Sequence, residues 1–273
     1  MQNKFLYKDS FSKFIVKGEL IQLENMALVL SECSLPAHAR RNTMKNTIFL
    51  IFFLFSFMLN SESRKKTVLV SSFPISIRKY GEDVRTNLKT AAGRIRHFQI
   101  KAGETFSFNK TVGEASLQNG YMPARSFGIG ETVLEPGGGI CIAATVVYNV
   151  LLSGGFEIEE RHKHSRRVHY VSPGLDATIL YGKKDLRMKN TGTQDFILKL
   201  DVDRQYITAK LYSSSNLAER YEMSTDIQEE SSAFGTESVS KGLSATVFRE
   251  KWTGDTMTER KFLYSERVSP GLE

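Results

Sequence analysis

The sequence contains few cysteines and lacks the motifs of the common nucleic-acid-binding domains. Two of its 273 residues are cysteine, and no helix-turn-helix, zinc-finger or RNA-recognition signature is present. The net charge is +7 and the pI is about 9.3, yet the basic residues are scattered along the chain rather than clustered. We therefore predict no nucleic-acid partner. A positive balance of this kind also suits anionic polymers or membrane surfaces.

The sequence also lacks an apolar run that is long enough to cross a bilayer. The apolar stretch at residues 48–59 would span about 18 Å as a helix, whereas the hydrocarbon core is about 30 Å thick. It follows Lys45 and leads to the small residues at 61–63, which is the build of a secretory signal peptide. We predict a signal peptide over 44–63 and export to the periplasm or cell wall. Membrane contact is expected through this segment alone, if it is not cleaved.

A signal peptide at this position makes residues 1–43 a doubtful leader ahead of a true start at Met44. Cys33 is then absent from the mature chain, and Cys141 is its one thiol. An unpaired cysteine in an exported protein has no internal disulfide partner, so it is a candidate reactive group.

The chain beyond the signal peptide predicts an α+β fold, mainly antiparallel β-sheet with a central helix. A short helical stretch is predicted at 84–95 and the main helix at 140–152, while the residues after Phe156 alternate as strands do. No solenoid repeat is present. The main helix is predicted from apolar residues that recur on one face, namely Ile140, Ala144, Val147 and Leu151.

Composition also predicts the domain boundaries. We expect one folded domain over 64–225 and a flexible linker over 226–241, which is rich in serine and glutamate. The remaining residues, 242–273, are predicted to form a C-terminal β-hairpin tail with its turn at 253–255.

Three glycines stand directly before Cys141 at the predicted start of the main helix. The first turn of a helix carries unpaired N–H groups and a partial positive charge, which favour a thiolate. Gly138 and Gly139 lack a Cβ, so we predict that substrate approaches the backbone there. The N–H groups of residues 139–141 are the expected donors to the oxyanion that forms when a thiolate attacks an acyl carbon.

A thiolate nucleophile needs a base, and histidines cluster in the stretch "ERHKHSRRVHY". On one unbroken strand His162 and His164 would face the same way, so either is a candidate base. Asp176 and Asp185 are candidates for the carboxylate that orients the base. The same His-x-His spacing with an aspartate also suits zinc, although no HExxH motif is present. Arg161 is a candidate for binding substrate carboxylates, as are Lys163, Arg166 and Arg167.

These blocks of sequence resemble the successive blocks of VanW domains, which occur in exported or membrane-anchored bacterial proteins. The resemblance runs in order and spacing from Lys101 to Leu200, and the glycine–cysteine and HxHS blocks are its most specific parts. It implies the activity of the characterised members, which are cysteine L,D-transpeptidases of peptidoglycan. The matching stretches are "KAGETFSFNKTVGEASLQNGYMPA", "EPGGGICIAATVVYN", "FEIEERHKHSRRVHYVSPGLDAT" and "KDLRMKN".

The resemblance also implies site residues. Cys141 matches the family cysteine, and Asp176 falls on the Asp-Ala-Thr block. We assign the base to His164 and the orienting carboxylate to Asp176 by inference beyond the match. The positions that match the other family blocks are His162, His164 and Ser165 in His-x-His-Ser, and Asp185 and Asn190 in Asp-x-x-x-x-Asn.

One departure from the family affects the expected chemistry. The family usually has glutamine directly after the cysteine, whereas this chain has Ile142, which has no side-chain hydrogen-bond donor. If that glutamine assists the oxyanion or binds substrate, its replacement leaves three outcomes open: slower catalysis, a different selectivity or no catalysis. From the residues and the resemblance together, we expect a cysteine acyltransferase that acts on peptidoglycan stem peptides without a cofactor or metal. The alternatives are a non-catalytic peptidoglycan-binding or glycopeptide-resistance accessory module, and a zinc hydrolase that uses the His-x-His pair.

Overall fold

A computed structural model describes residues 15–16, 19–20, 67–127, 132–229 and 242–269. The chain divides into two compact units, Met1–Arg64 and Lys65–Glu273. In the first unit the described residues form two short antiparallel strands, β1 (Ile15–Val16) and β2 (Glu19–Leu20). The predicted signal peptide at 44–63 lies outside the described residues.

The second unit is built on a four-stranded antiparallel sheet in the order β3-β11-β10-β4. The hairpin of β10 and β11 forms because apolar residues alternate with polar ones along both strands, so that one face of each is buried. The strands are β3 (Val68–Ser76), β4 (Phe98–Ile100), β10 (Phe196–Val202) and β11 (Tyr206–Ser213). The buried residues of the hairpin are Phe196, Leu198 and Leu200 on β10, with Ile207, Ala209 and Leu211 on β11.

Two helices pack in the core with this sheet. Helix α1 spans Glu82–Arg94, close to the predicted 84–95. Helix α3, predicted for 140–152, spans Ile140–Ser153 and is buried on nearly every side. It follows Gly139, whose φ of 89° lies in the left-handed region that suits glycine. A third helix, α2, covers Phe108–Val112.

Three smaller sheets complete the unit. A 3₁₀ turn at Leu117–Asn119 precedes a two-stranded hairpin of β6 (Pro123–Phe127) and β7 (Thr132–Pro136). The order in the second sheet is β5-β9-β8, and in the third it is β12-β13-β14. Their strands are β5 (Thr105–Ser107), β8 (Glu157–Glu160), β9 (Arg187–Lys189), β12 (Arg220–Glu229), β13 (Leu243–Thr253) and β14 (Thr256–Val268).

The second unit is therefore α+β, with mostly antiparallel sheets and a few helices. Among the residues that the structure describes, no helix combines the length and the apolar character that a membrane crossing requires.

Two sequence predictions are corrected by this architecture. The histidine stretch is not one strand: β8 ends at Glu160, and beyond it His162 joins Thr178 through an isolated β-bridge. The predicted linker begins too early, because β12 continues to Glu229 and pairs with β13 over its whole length. The described residues of the predicted C-terminal tail do form a hairpin, but it extends the sheet of β12 rather than standing alone.

Candidate functional site

Close packing accounts for all three glycines of the turn that precedes helix α3, and a Cβ on Gly137 would lie 2.4 Å from the Cβ of Ala115. A Cβ on Gly138 would lie 2.4 Å from the carbonyl oxygen of Ala124 in β6, and Gly138 is buried. Asn87 of α1 is also buried and donates to the Gly138 carbonyl at 3.1 Å. Gly139 is half-buried, and a Cβ there would meet Val84 at 2.6 Å. The turn is thus fixed against α1 and β6, and Gly138 faces the protein rather than an open surface.

Cys141 is the second residue of helix α3 and is half-buried. Its Sγ lies 3.3 Å from Oγ1 of Thr178, and the thiol lies 3.9 Å from the carbonyl oxygen of Ile179. The sulfur therefore has polar neighbours from a second segment of the chain, in a region that is otherwise apolar core.

The polar face of helix α3 holds that second segment in place through successive turns. One turn beyond Cys141, Thr145 Oγ1 donates to the Ala177 carbonyl at 3.2 Å and accepts from the Ala177 N–H at 3.1 Å. Another turn on, Asn149 Nδ2 donates to the Leu175 carbonyl at 2.8 Å. Residues 175–179 therefore run along the helix in the opposite direction, with a contact at 141, 145 and 149.

This segment places Asp176 against His164. The Oδ2 atom of Asp176 lies 2.6 Å from His164 Nδ1 and also accepts from the His164 N–H at 2.7 Å. The two side chains are 9% and 13% exposed. The imidazole also acts on the Cys141 thiol, whose pKa it lowers. Because Asp176 occupies Nδ1, Nε2 is the nitrogen left for the thiol.

The charges of the three groups favour an ion pair between Cys141 and His164. Burial opposes charge on His164, but its bonds to Asp176 and Cys141 raise its pKa to about 9. Burial also opposes a thiolate, but the hydrogen bond and charge of His164 outweigh it and lower the pKa of Cys141. The pKa of Asp176 is lowered against the effect of burial, by His164 first and then by Arg161. A thiolate beside an imidazolium is the reactive form of a cysteine nucleophile.

Arg161 is not available to bind a substrate carboxylate as the sequence predicted. Its guanidinium is 6% exposed and lies between Asp176 and Glu266. Nε donates to the Asp176 carbonyl at 2.7 Å, and Nη2 donates to Asp176 Oδ1 at 3.0 Å. The prediction was wrong because it took Arg161 for an exposed strand residue, whereas two protein carboxylates already bind it.

His162 and Ser165 are not brought to the thiol by these contacts. His162 Nε2 lies 2.9 Å from Glu160 Oε1, and its side chain is 37% exposed. Ser165 is exposed. His162 and His164 contact different carboxylates, Glu160 and Asp176, rather than sharing one as the zinc alternative would have it. Within 67–127, 132–229 and 242–269, no group of three or more histidine, cysteine or acidic side chains could hold a metal ion.

Asp185 and Asn190, predicted to bind substrate, hold the fold together instead. Asp185 accepts from the Ser107 hydroxyl at 2.5 Å and from the N–H of Asn109 at 2.8 Å, at the start of helix α2. Asn190 is buried, and its amide donates to the carbonyls of Lys101 and Gln194 at 3.0 and 2.8 Å. Both side chains are occupied by the protein itself.

Several residues of the site were missed by sequence analysis. Thr178 shares a side of an extended chain with Asp176, so the spacing of two residues is a signal that could have found it. The ring of Tyr170 stands edge-on to His164, with centroids 6.3 Å apart. Glu266 and Tyr264 come from strand β14, and no local pattern connects them to the cysteine.

A shallow depression opens beside His164 and Asp176. The residues that line it have an excess of basic side chains from the segment that carries His164. They are Lys163, His164, Arg166, Arg167, Val168, Pro173, Asp176, Glu266 and Val268.

Comparison with known proteins finds similar sequences for the part of the chain that carries this site. A family model described as "VanW like protein" matches residues 83–212. This region of the chain is similar to VanW-like proteins. The resemblance drawn from the sequence over 101–200 is thereby confirmed and extended at both ends.

Two curated relatives share the VanW-like region. Protein YoaR of Bacillus subtilis, which is uncharacterized, is 34% identical over 134 residues, covering 49% of this chain and 44% of YoaR. Vancomycin B-type resistance protein VanW of Enterococcus faecalis is 29% identical over 140 residues, covering 49% of this chain and 50% of that protein. The chain thus spans about half the length of the curated relatives that it matches. No solved structure matches the chain.

Proposed function

We propose that this protein is an exported cysteine acyltransferase of the L,D-transpeptidase type that acts on peptidoglycan stem peptides. The observation that carries the proposal is the 2.6 Å contact of Asp176 with His164, whose imidazole lowers the pKa of the Cys141 thiol. The likeness to VanW-like proteins, one of which is named for vancomycin resistance, supports a role at the cell wall. The apolar stretch at 48–59 supports export.

In the acylation step, the Cys141 thiolate attacks the carbonyl carbon between the diamino acid and the terminal D-alanine of a stem peptide. A C–S bond forms and the carbonyl becomes a tetrahedral oxyanion. His164 then gives its proton to the leaving nitrogen, the C–N bond breaks, and D-alanine departs. A thioester on Cys141 and a neutral imidazole remain.

In the second step, the amine of a neighbouring stem attacks the thioester. His164 takes the proton that the amine loses, and the C–S bond breaks as the new amide forms. The products are a cross-linked peptide and the original thiolate–imidazolium pair. Asp176 holds the ring through both steps because its Oδ2 atom bonds Nδ1 and the backbone N–H of His164.

Of the three backbone N–H groups at residues 139–141, only two are free to donate to the oxyanion. The Ile140 N–H donates to the Gly137 carbonyl at 2.9 Å, so it is already used within the turn. We assign the oxyanion to the Cys141 N–H, with Gly139 as the second donor. Ile142 is 2% exposed and packs in the core, so its side chain contributes packing and no hydrogen bond.

Muropeptide analysis of purified sacculi tests the proposal. Incubation with the wild-type protein is expected to produce new cross-links and free D-alanine, and Cys141→Ala is expected to produce neither. Thr90→Ala is a matched control, because Thr90 lies on α1 and bonds Thr86 and Gly120 away from the thiol. Cross-linking that survives in Cys141→Ala would disprove the mechanism.

The burial of apolar Ile142, where the family usually has glutamine, favours one alternative: a wall-binding accessory module without catalysis. In that case wild type and Cys141→Ala would sediment equally with sacculi, and neither would alter the muropeptides. A catalytic protein would change the muropeptides with wild type alone.

A further inference from the structure

We propose that Glu266 is a positioning residue of the Cys141–His164–Asp176 site, acting through the buried guanidinium of Arg161. The proposal rests on the proposed function of that site. Glu266 lies on β14 of the C-terminal hairpin, beyond residue 212, where the match to the family model ends. The hairpin is therefore part of the site, although it is outside the VanW-like region.

The geometry of Arg161 supports this role. Glu266 binds it with both oxygens, Oε2 to Nη1 at 2.6 Å and Oε1 to Nη2 at 3.2 Å. The same Nη2 also donates to Asp176 Oδ1 at 3.0 Å. A two-bond contact between carboxylate and guanidinium fixes the plane of the guanidinium. Asp176 and Glu266 bind the same planar guanidinium. Glu266 therefore also fixes the orientation in which Arg161 donates to Asp176.

Aromatic rings hold the guanidinium on its faces. Arg161 Cζ lies 4.7 Å from the ring centroid of Tyr264 and 5.5 Å from that of Tyr148. The two phenol oxygens are 2.5 Å apart, and the Tyr264 hydroxyl also lies 2.7 Å from the Gly174 carbonyl oxygen. The hairpin thereby also contacts the chain two residues before Asp176.

Glu266 adds a second negative charge beside Arg161, so that Asp176 does not face the two cations Arg161 and His164 alone. Arg161, Asp176 and Glu266 have side chains that are 6%, 9% and 11% exposed, so water screens them little. Without the charge of Glu266, the positive charge of Arg161 would be only partly offset by Asp176 and would oppose a proton on His164. Several elements contribute charged and titratable groups to the surroundings of His164 among the described residues. Helix α3 contributes Cys141 and Tyr148, and strand β14 contributes Tyr264 and Glu266. The loops on either side contribute Arg161, Lys163, Arg166, Arg167, Tyr170 and Asp176.

The test is an NMR titration of the His164 imidazole in the full chain, assigned with His164→Gln. In Glu266→Gln the His164 midpoint should fall by about half a unit to one unit, because a nearby negative charge is lost. Glu266→Asp keeps the charge and should restore most of the wild-type midpoint.

Two controls separate positioning from a purely structural role. Tyr264→Phe removes hydrogen bonds at the same cluster without changing charge, and it should leave the His164 midpoint in place even if it lowers stability. Glu259→Gln removes an exposed charge from the same strand and should also leave the midpoint in place. A Glu266→Gln midpoint equal to those of both controls would overturn the proposal.

The same samples distinguish failure of this inference from failure of the proposed function. Alkylation of Cys141, followed by mass spectrometry of its peptide, reports the thiolate without any peptidoglycan substrate. If wild-type Cys141 reacts only at the pH of an ordinary thiol, the proposed function loses its chemical basis. If it reacts at lower pH and Glu266→Gln leaves the His164 midpoint unmoved, the inference about Glu266 alone fails.

Discussion

Two histidines that are two residues apart lie in very different surroundings. His162 contacts Glu160, and both side chains are more than one-third exposed. His164 contacts Asp176, and both side chains are nearly buried. Each imidazole thus has a carboxylate partner at hydrogen-bonding distance, 2.9 Å for His162 and 2.6 Å for His164.

The two histidine–carboxylate pairs differ in what else the carboxylate binds. Glu160 also accepts from the backbone N–H of Asp185, and its side chain remains open to water. Asp176 is held from the other side by Arg161, while His164 lowers the pKa of the Cys141 thiol. A surface pair of this kind contributes little, whereas a buried pair that is held at both ends can set the protonation of a neighbouring thiol.

The largest contrast is expected in activity. His164→Gln should lower the rate of cross-link formation by about 100-fold or more, because the proton acceptor and donor is lost. His162→Gln should stay within about threefold of wild type. Initial rates of muropeptide cross-linking measure both. Equal losses in the two variants would remove the distinction between the histidines.

Stability should show the same contrast. Asp176→Asn should lower the free energy of unfolding by about 3–5 kcal/mol, because Arg161 keeps a buried charge with one carboxylate fewer. Glu160→Gln breaks an exposed pair and should cost less than about 1 kcal/mol. Urea denaturation with a common slope tests the pair of variants. A cost for Glu160→Gln as large as that for Asp176→Asn would contradict the role given to burial.

The pH dependence of stability gives the smallest effect. In a Cys141→Ala background, we expect the bond to Asp176 to keep the pKa of His164 above its ordinary value of 6.5, because Asp176 is the first of the groups that raise it. A raised pKa in the folded state stabilises fully below the unfolded value, and that stabilisation disappears as pH rises through the folded value. The added cost of His164→Gln in this background should therefore shrink by about 1–3 kcal/mol between pH 6 and 10.

The measurement is the free energy of unfolding of Cys141→Ala with and without His164→Gln, at several pH values from 6 to 10. A cost of His164→Gln that stays constant from pH 6 to 10, or increases, would show that Asp176 does not favour the imidazolium.

Much of the fold could be predicted where local pattern decides the structure. The apolar face of residues 140–151 predicts α3, and the alternation around 196–213 predicts strands where β10 and β11 lie. The grouping of Cys141, His164 and Asp176 was also predicted, although their catalytic roles stay predictions.

The end of β8 could not be predicted because distant contacts decide it. After Glu160, the chain is held by the Thr178 N–H, which donates to the His162 carbonyl at 2.8 Å, and by the Ser269 carbonyl, which accepts from the Arg167 N–H at 2.9 Å. These partners lie more than ten and more than one hundred residues away along the chain. The alternation in the histidine stretch therefore predicted one continuous strand, whereas contacts with distant residues end the strand at Glu160.

The role of Arg161 was mispredicted for the same reason. An arginine among lysines and histidines suggests an exposed cationic edge. Its partner Glu266 lies 105 residues further on, in a hairpin that composition marked as a tail. Nothing near Glu266 in the sequence indicates that it is buried beside an arginine.

The contacts between helix α3 and residues 175–179 recur because the two segments have nearly equal repeat lengths. Four residues of helix advance about 6.0 Å, and two residues of extended chain advance about 6.6 Å. The mismatch of roughly half an ångström per step is small enough for the contacts at 141, 145 and 149 to coincide, but it would accumulate along a longer run. Insertion or deletion of one residue within 141–149 or within 175–179 would therefore break the register of these contacts. The Cys141 sulfur would then no longer lie beside Thr178 and Ile179.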